Sequence, residues 1–254
     1  YYVNYTDLFA NTTLYDEYSR EETERYDVFV GEYSANSYTS GGASYAADSE
    51  WANSWITAIS EAAVMTGYER NGDVVKLAAY APMFAPIAAN HRQWNVDMMY
   101  FTNTQLVLST NYYVQQLFMK NSGNYMLQKS LLTFADGFEQ TREIPYVSSP
   151  GATAQSRTID KIYYVASLAE NGDIIIKVVN AGEEAVKMNF NISNAKGTGI
   201  AHVTELASSD WKAKNSLTET KISPESYTIG NGSMKEFGHE IKPYSVTAIR
   251  VHTK

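Results

Sequence analysis

The 254-residue sequence contains no cysteine, which excludes disulfide bonds and metal sites built from thiolates. Its four histidines lack the spacing of a ligand set, so neither a metal nor a cofactor is expected. Basic charge is not in excess either: the formal net charge is -8, which argues against nucleic acid as a partner. No apolar run approaches the roughly 18 residues of a membrane span, and no signal segment begins at Tyr1. No membrane span is therefore predicted, and the compartment stays open.

Tyrosine is the residue type that the chain has in excess. It contributes 20 of the 254 residues, and 44% of the chain is hydrophobic, which is enough to build a core. Tyrosine rings offer the flat, half-polar surfaces on which sugars lie, although most of them are expected in the core and on ordinary surface.

The stretch Val28-Phe29-Val30-Gly31-Glu32 has the pattern of a strand that ends in an acid. Three consecutive apolar residues are typical of a parallel strand buried on both faces, and the run stops at Gly31-Glu32. Barrel enzymes place their chemistry at the carboxyl ends of such strands. Glu32 is therefore the candidate catalytic residue, and the alternative is a solvated acid in an ordinary loop.

The first 123 residues alternate between helix and strand patterns. Apolar residues recur every three or four positions from Glu50 to Glu69, which predicts a helix with a buried face. The other elements expected here are a polar loop over Ser34–Asp48, a second helix over Val74–Phe84 capped by Asp73, a strand over Asp97–Phe101 and a helix over Tyr112–Met119. This rhythm predicts a parallel α/β sheet.

From about Asn124 the apolar pattern changes to a period of two. Two apolar runs, Ile162–Leu168 and Ile174–Val179, are joined through an Asn-Gly pair, which predicts a hairpin. An antiparallel β-sandwich is therefore predicted over residues 124–254. Strands with alternating residues are indicated by Val186, Met188, Phe190 and Ile192, and by Thr247, Ile249 and Val251.

The chain is too short for a complete barrel and a sandwich together. A barrel of eight strands takes about 250 residues and a sandwich adds about 100, whereas the chain has 254. A small α/β layer of its own is one solution. We expect the other, in which the chain is the carboxyl-terminal part of a larger protein, because a fraction of a barrel leaves open sheet edges.

Four stretches form an ordered series across most of the chain: Val28–Tyr33, Glu61–Ala85, Gln93–Phe101 and Tyr112–Gln115. Together they resemble the α-L-arabinofuranosidases of glycoside hydrolase family 51, in their longer, extracellular-type branch. The resemblance implies a (β/α)8 barrel followed by an antiparallel β-sandwich. Residues 1–123 would be the carboxyl-terminal portion of the catalytic barrel, and residues 124–254 the sandwich domain.

The resemblance also implies roles for individual residues. In the family's retaining mechanism, Glu32 would be the nucleophile that follows the seventh barrel strand, and Tyr2 would support it. Trp94 and Asn95 are candidates to contact a sugar, with Trp94 equally suited to a core position. The family's acid/base glutamate ends the fourth strand and is expected before Tyr1, so the chain alone should be inactive.

The resemblance further implies the partners of the complete protein. Its substrate would be an arabinose-containing polysaccharide or oligosaccharide, from which it removes terminal arabinofuranosyl residues. The missing amino-terminal part of the same protein would be the chain's own partner, and a homo-oligomer is also expected. The family branch favours an extracellular or periplasmic location.

Two other functions stay open on the sequence alone. One is a related barrel glycosidase, either a xylosidase or a β-glucanase, because most of the sugar pocket is expected outside the chain. The other is a noncatalytic carbohydrate-binding or structural β-module in which Glu32 is incidental. Upstream βα units, with an Asn-Glu pair at the end of one strand, would distinguish the enzyme.

Overall fold

A computed structural model describes residues 2–36, 52–88, 95–128, 130–146, 153–193, 199–230 and 234–253. The first half contains β1 (Tyr2–Asn4), α1 (Tyr5–Ala10), a 3-10 turn (Asn11–Thr13), β2 (Val28–Asn36), α2 (Trp55–Arg70), β3 (Val75–Tyr80), β4 (Phe84–Pro86), β5 (Met99–Phe101), β6 (Leu106–Leu108), α3 (Thr110–Lys120) and β7 (Tyr125–Met126). The second half contains β8 (Thr141–Tyr146), β9 (Gln155–Asp160), β10 (Ile162–Leu168), β11 (Ile174–Asn180), β12 (Val186–Asn191), β13 (Ala201–Ala207), β14 (Glu225–Ile229), β15 (Glu236–Ile241) and β16 (Ser245–Val251).

The first three strands form a parallel sheet with β2 in the centre. One face of this sheet is packed, with Val30 and Tyr33 of β2 buried in a cluster that includes Tyr80 of β3. The other face is open: Phe29 and Leu77 lie opposite each other across the two strands and are 63% and 62% exposed. The sheet therefore has one covered face and one that this chain leaves bare.

Helix α2 is buried along most of its length, and it confirms the helix that the apolar spacing predicts. At its start the Trp55 indole N–H donates to the carbonyl oxygen of Tyr244 at 2.6 Å, which ties the helix to the end of the chain. Near its other end it passes the 3-10 turn so closely that a Cβ on Gly67 would lie 2.1 Å from the carbonyl oxygen of Thr12. The helix ends at Arg70, and the N–H of the following Asn71 bonds the carbonyl oxygen of Gly67.

An antiparallel sheet of six strands dominates the second half, in the order β14-β13-β16-β11-β10-β7. The predicted hairpin is confirmed by β10 and β11, in which Ile162 lies opposite Asn180 and Leu168 opposite Ile174. Gly172 in the connecting turn has a φ of 93°, a left-handed conformation that favours a residue without a Cβ.

Both faces of the six-stranded sheet are covered. On β11, Val178 packs in the cluster shared with the β12–β15 pair, whereas Val179 packs in the cluster that contains α2. The alternation predicted along β12 is confirmed, since Phe190 packs in the first cluster and its neighbours Asn189 and Asn191 are exposed. The antiparallel part is thus a sandwich with a small second layer, and α2 closes its other side. Between Ile162 and Val251, the described residues contain no helix.

The helix predicted over Val74–Phe84 is wrong. The segment forms β3 and β4 instead, and Asp73 lies in a turn in which the N–H groups of Val74 and Val75 both bond the carbonyl oxygen of Asn71. Pairing with β2 outweighs the helix propensity of the Leu77 to Ala79 segment, which is the usual limit of propensity as a guide.

The strand predicted at Asp97–Phe101 exists as β5, but it does not belong to the parallel sheet. It pairs with β4 and β6 in a separate three-stranded sheet. The third parallel strand is β3, which occupies the place given to a helix. The loop predicted over Ser34–Asp48 begins later, because Ser34 to Asn36 continue β2, and its remainder lies outside the described residues.

Among the helices that the structure describes, none is long and apolar enough to cross a membrane.

Candidate active site

Glu32 lies in the middle of β2 and not at its end. The strand continues to Asn36 because its edge toward β1 stays paired, with Tyr2 opposite Ser34. The predicted strand end at Gly31-Glu32 is therefore wrong, and so is burial on both faces, since Phe29 projects from the open face of the sheet.

A bulge in β2 turns the backbone at Glu32. Val30 lies opposite Ala78 and Tyr33 lies opposite Tyr80, so three steps along β2 match two along β3. An extra residue of this kind re-aims a side chain, and such bulges are frequent beside active sites. Glu32 is exposed, whereas Tyr33 beside it is 2% exposed. The carboxylate is thus accessible from the side of the sheet that the helices leave free.

The residues that follow Glu32 are anchored on the covered side by the helices. The hydroxyl of Tyr33 donates to Oε1 of Gln115 on α3 at 2.6 Å. The N–H of Ala35 donates to Oε1 of Glu61 on α2 at 2.9 Å. Two helices therefore hold the segment immediately beyond the exposed carboxylate.

Glu61 is fully buried, and burial raises the pKa of its carboxyl group to about 8. The N–H of Ala35 and the side-chain amides of Asn111 and Gln115 act in the opposite direction because they favour the charged form, but the lost hydration outweighs them. Burial, followed by the nearby Glu61 and Tyr68, also raises the pKa of Tyr33. At neutral pH the group behind β2 is thus a neutral carboxylic acid.

A second set of buried polar groups fixes the start of both helices. The Asn53 side chain donates to Oδ1 of Asn111 at 2.9 Å and accepts from the hydroxyl of Tyr100 at 2.6 Å. The hydroxyl of Thr110 donates to the carbonyl oxygen of Asn53 at 2.9 Å. The helices that anchor β2 are therefore themselves joined at their amino ends.

The other candidate residues are placed less completely. Tyr2 lies in β1 opposite Ser34, but the structure does not describe its side chain, and Trp94 is outside the described residues. Asn95 is 4% exposed. Its segment lies at the carboxyl end of β3, because the Tyr80 hydroxyl donates to the carbonyl oxygen of Val96 at 3.0 Å. Contact of these side chains with a sugar stays a prediction.

A large cleft of about 1180 Å³ is lined by residues of β3, α2 and α3, and Glu32 does not line it. It is mostly apolar, and its walls include Met65, Met83, Met98, Met99, Met119 and Met126. Within the described ranges, no group of three or more His, Asp or Glu side chains could hold a metal ion.

Comparison with known proteins decides the family. Residues 31–245 match the family model described as the alpha-L-arabinofuranosidase C-terminal domain. The chain belongs to this family. The match begins at Gly31, so it includes Glu32, the anchored segment behind it and both helices.

Relatives of this arabinofuranosidase domain are much longer than the chain. Alpha-L-arabinofuranosidase A of Aspergillus niger is 32% identical over 206 residues, which are 79% of the chain and 26% of that protein. The solved structure of the arabinose-bound family 51 α-L-arabinofuranosidase MgGH51 superposes with a TM-score of 0.77 at 26% identity, over 100% of this chain and 36% of that one. The arabinose complex of the Thermotoga maritima α-L-arabinofuranosidase has a TM-score of 0.71 at 21% identity, over 98% of this chain and 50% of that one, and shows a shared fold.

These likenesses confirm the family and the fold class predicted from the sequence, a barrel portion followed by an antiparallel β-sandwich. The domain boundary between residues 123 and 124 stays a prediction. Sequence reasoning missed the arabinofuranosidase domain's buried Glu61 and Gln115. A signal was available for Glu61, since it lies three residues after Ala58 and three before Val64, a helical spacing, and both of these are buried in α2.

Proposed function

We propose that the chain carries the nucleophile of a retaining α-L-arabinofuranosidase, which removes terminal arabinofuranosyl residues from arabinose-containing polysaccharides or oligosaccharides. The observation that supports this most is the position of Glu32, an exposed carboxylate at a bulge of a central parallel strand, inside the region matched by the family model. A strand held on its other face gives the rigidity that a nucleophile needs.

Retention requires two displacements at the anomeric carbon. In the first, a Glu32 oxygen forms an ester bond with that carbon while the glycosidic bond breaks and a general acid gives its proton to the leaving oxygen. In the second displacement, the deprotonated general acid acts as a base and takes a proton from water. The resulting hydroxide displaces Glu32 from the anomeric carbon. The two carboxyl groups of retaining enzymes are about 5 to 5.5 Å apart.

The acid/base in this proposal comes from a part of the protein outside the chain. The chain spans 26% of the Aspergillus niger relative and 36% of the arabinose-bound structure it matches. The bare sheet face with Phe29 and Leu77 would then be the inner wall of a barrel, packed by strands that this chain does not contain. Glu32 would face that interior, where a substrate pocket forms.

The test is made on the full-length protein, expressed from the complete coding region to which this chain belongs. The Glu32→Gln substitution should lower kcat on a nitrophenyl arabinofuranoside by at least about 10³-fold, because an amide oxygen cannot replace the attacking carboxylate. The folded structure should be unchanged, since Glu32 is exposed and belongs to none of the buried clusters.

Azide supplies a sharper readout than loss of activity. A small anion that enters the space of the missing carboxylate should restore turnover in a variant that keeps the acid/base, for example Glu32→Gly, and the product should be the arabinosyl azide of inverted configuration. Glu22→Gln is the matched control, because Glu22 is an exposed acid in the turn region before β2. Near-normal kcat in Glu32→Gln would overturn the assignment.

A further inference from the structure

We propose that Glu61 of α2 and Gln115 of α3 form a buried clamp that positions Glu32 by holding the two residues of β2 on its covered side. The inference rests on the proposed function, since it gives Glu32 the role of nucleophile. Glu61 and Gln115 are positioning residues in this scheme, because neither reaches the open face of the sheet.

The clamp acts where ordinary strand pairing stops. The pairing of β2 with β3 ends at Tyr33 and Tyr80, and the last backbone bond there runs from the N–H of Ala81 to the carbonyl oxygen of Tyr33 at 3.2 Å. Pro82 follows, and it has no N–H with which to continue a ladder. The N–H of Ala35, two residues further along β2, is instead bound by Glu61 at 2.9 Å.

Without the Glu61 acceptor, the N–H group of Ala35 would be buried and would have no hydrogen-bond partner. Ala35 is 1% exposed, so water cannot serve as its acceptor. An orphaned buried donor costs about 1 to 3 kcal/mol, and the backbone can avoid that cost by moving. Any such movement would act on the bulge at Glu32, three residues away, where β2 is already out of regular register.

The second contact of the clamp, made by Gln115, fixes the side chain of Tyr33, the immediate neighbour of Glu32. Its hydroxyl bonds Gln115 at 2.6 Å, and its ring packs edge-on against Tyr68 and Tyr80 at centroid distances of 5.6 and 5.9 Å. The Tyr33 ring therefore cannot rotate freely. Both anchored residues belong to the covered side of β2, so the clamp fixes the backbone without entering the substrate side.

The clamp uses a neutral acid for a reason that follows from its burial. A carboxylate at this position would be desolvated, and no cationic side chain contributes to the electrostatics of Glu61 in the described part of the chain. A neutral carboxyl still offers a carbonyl oxygen to Ala35. Glutamine offers the same oxygen, which makes Glu61→Gln a conservative replacement and Glu61→Leu a loss of the acceptor with similar volume.

Two measurements test the clamp, the first on the chain itself. Hydrogen exchange of the Ala35 amide should be at least about tenfold faster in Glu61→Leu than in the wild type, and close to the wild type in Glu61→Gln. Glu22→Gln is the control for exchange, since Glu22 is an exposed acid in the turn region before β2 and its replacement leaves the buried contacts intact. Unchanged Ala35 exchange in Glu61→Leu would overturn the clamp.

The second measurement is made on the full-length protein at temperatures below unfolding. Misplacement of a reacting group by about 1 Å can cost about 10²-fold in rate, so we expect Glu61→Leu to lower kcat by about 10- to 100-fold with a less than about twofold change in KM. Glu61→Gln should restore kcat, and Glu69→Gln, which changes the same helix two turns later, should keep it even if it lowers the melting temperature. Tyr33→Phe, which removes one hydroxyl, is expected to lower kcat less and serves if Glu61→Leu does not fold.

The outcomes separate the two proposals. An active wild type whose kcat is the same in Glu61→Leu, or as low in Glu61→Gln as in Glu61→Leu, would overturn the positioning role. An inactive full-length wild type, or full activity in Glu32→Gln, would overturn the proposed function, and the clamp would then be decided by the exchange of Ala35 alone.

Discussion

The proton on Glu61 makes the stability of this domain depend on pH in an unusual direction. Its pKa is about 8 in the fold and 4.5 in the reference state, so between these values the folded chain holds a proton that the unfolded chain has released. Its contribution to stability is complete below pH 4.5 and is lost as pH rises toward 8. Because one proton is involved, the free energy of unfolding cannot fall by more than about 1.4 kcal/mol per pH unit from this group.

We therefore predict that Glu61→Gln flattens part of the pH dependence. The free energy of unfolding, measured by urea denaturation at pH 5, 6, 7 and 8, should fall more steeply with pH in the wild type than in the variant. The difference between the two curves isolates Glu61 from the other titrating groups, because those are common to both proteins. Parallel curves would show that Glu61 is already ionised at pH 5.

Glu32 and Glu61 also show how far single residues can be predicted from the sequence. Glu32 was chosen as a candidate because it follows an apolar run, a signal contained within five residues, and the structure confirms only the parallel strand in which it lies, so its role stays a prediction. The bulge could not be predicted, since it depends on the register with β3. The partner of Glu61 is 26 residues away, and nothing local indicates that contact.

At the scale of elements, α2 joins the parallel sheet to the sandwich. Lys177 in the middle of β11 is 1% exposed at its side chain, and its ammonium group lies 2.6 Å from both carboxylate oxygens of Glu69 on α2. Burial lowers the pKa of Lys177 and the carboxylate opposes that shift. Burial likewise raises the pKa of Glu69, and the ammonium group opposes it. Each charge therefore compensates the hydration that the other has lost on burial.

We predict that removing one partner destabilises the chain more than removing both. Lys177→Met or Glu69→Gln alone should each cost about 3 kcal/mol or more, since an isolated partner in a buried site loses its compensation. The double variant should recover part of that loss, with a coupling energy of at least about 1 kcal/mol in a denaturation cycle. Additive losses would show that the pair contributes nothing beyond its separate side chains.

Elements with strong local signals were predicted well, and those defined by pairing were not. The hairpin of β10 and β11 has its Asn-Gly turn, and α2 has its apolar spacing. The residues of β3 are compatible with a helix, and they form a strand because β2 is beside them. Packing of α2 against a face of the six-stranded sheet was also missed, since the sandwich pattern alone suggested a module separate from the first region.

At the scale of the molecule, one core extends across the proposed domain boundary. Side chains of α1, α2 and α3 pack in the same cluster as Val179 of β11 and Val246 of β16. The open face of the parallel sheet has no such cover, and Phe84 beyond β3 is 56% exposed as well. The part of the fold that this chain completes is therefore the helix side, and the part it leaves bare is the side from which Glu32 is reached.

This asymmetry predicts that the purified chain has no useful arabinofuranosidase activity although it contains Glu32, the proposed nucleophile. The sugar must be oriented by walls on the bare side, and the leaving oxygen needs an acid, whose help is worth about 10² to 10⁴ in rate. A nitrophenyl arabinofuranoside needs little acid help. The assay on that substrate therefore measures the effect of the missing pocket walls separately from the effect of the missing acid. Turnover should appear only when the chain is mixed with the remaining part of its protein, and Glu32→Gln should abolish it. Steady turnover by the isolated chain, lost in Glu32→Gln, would mean that the residues present already form a complete site, and that the bare face of Phe29 and Leu77 is itself the sugar-binding surface.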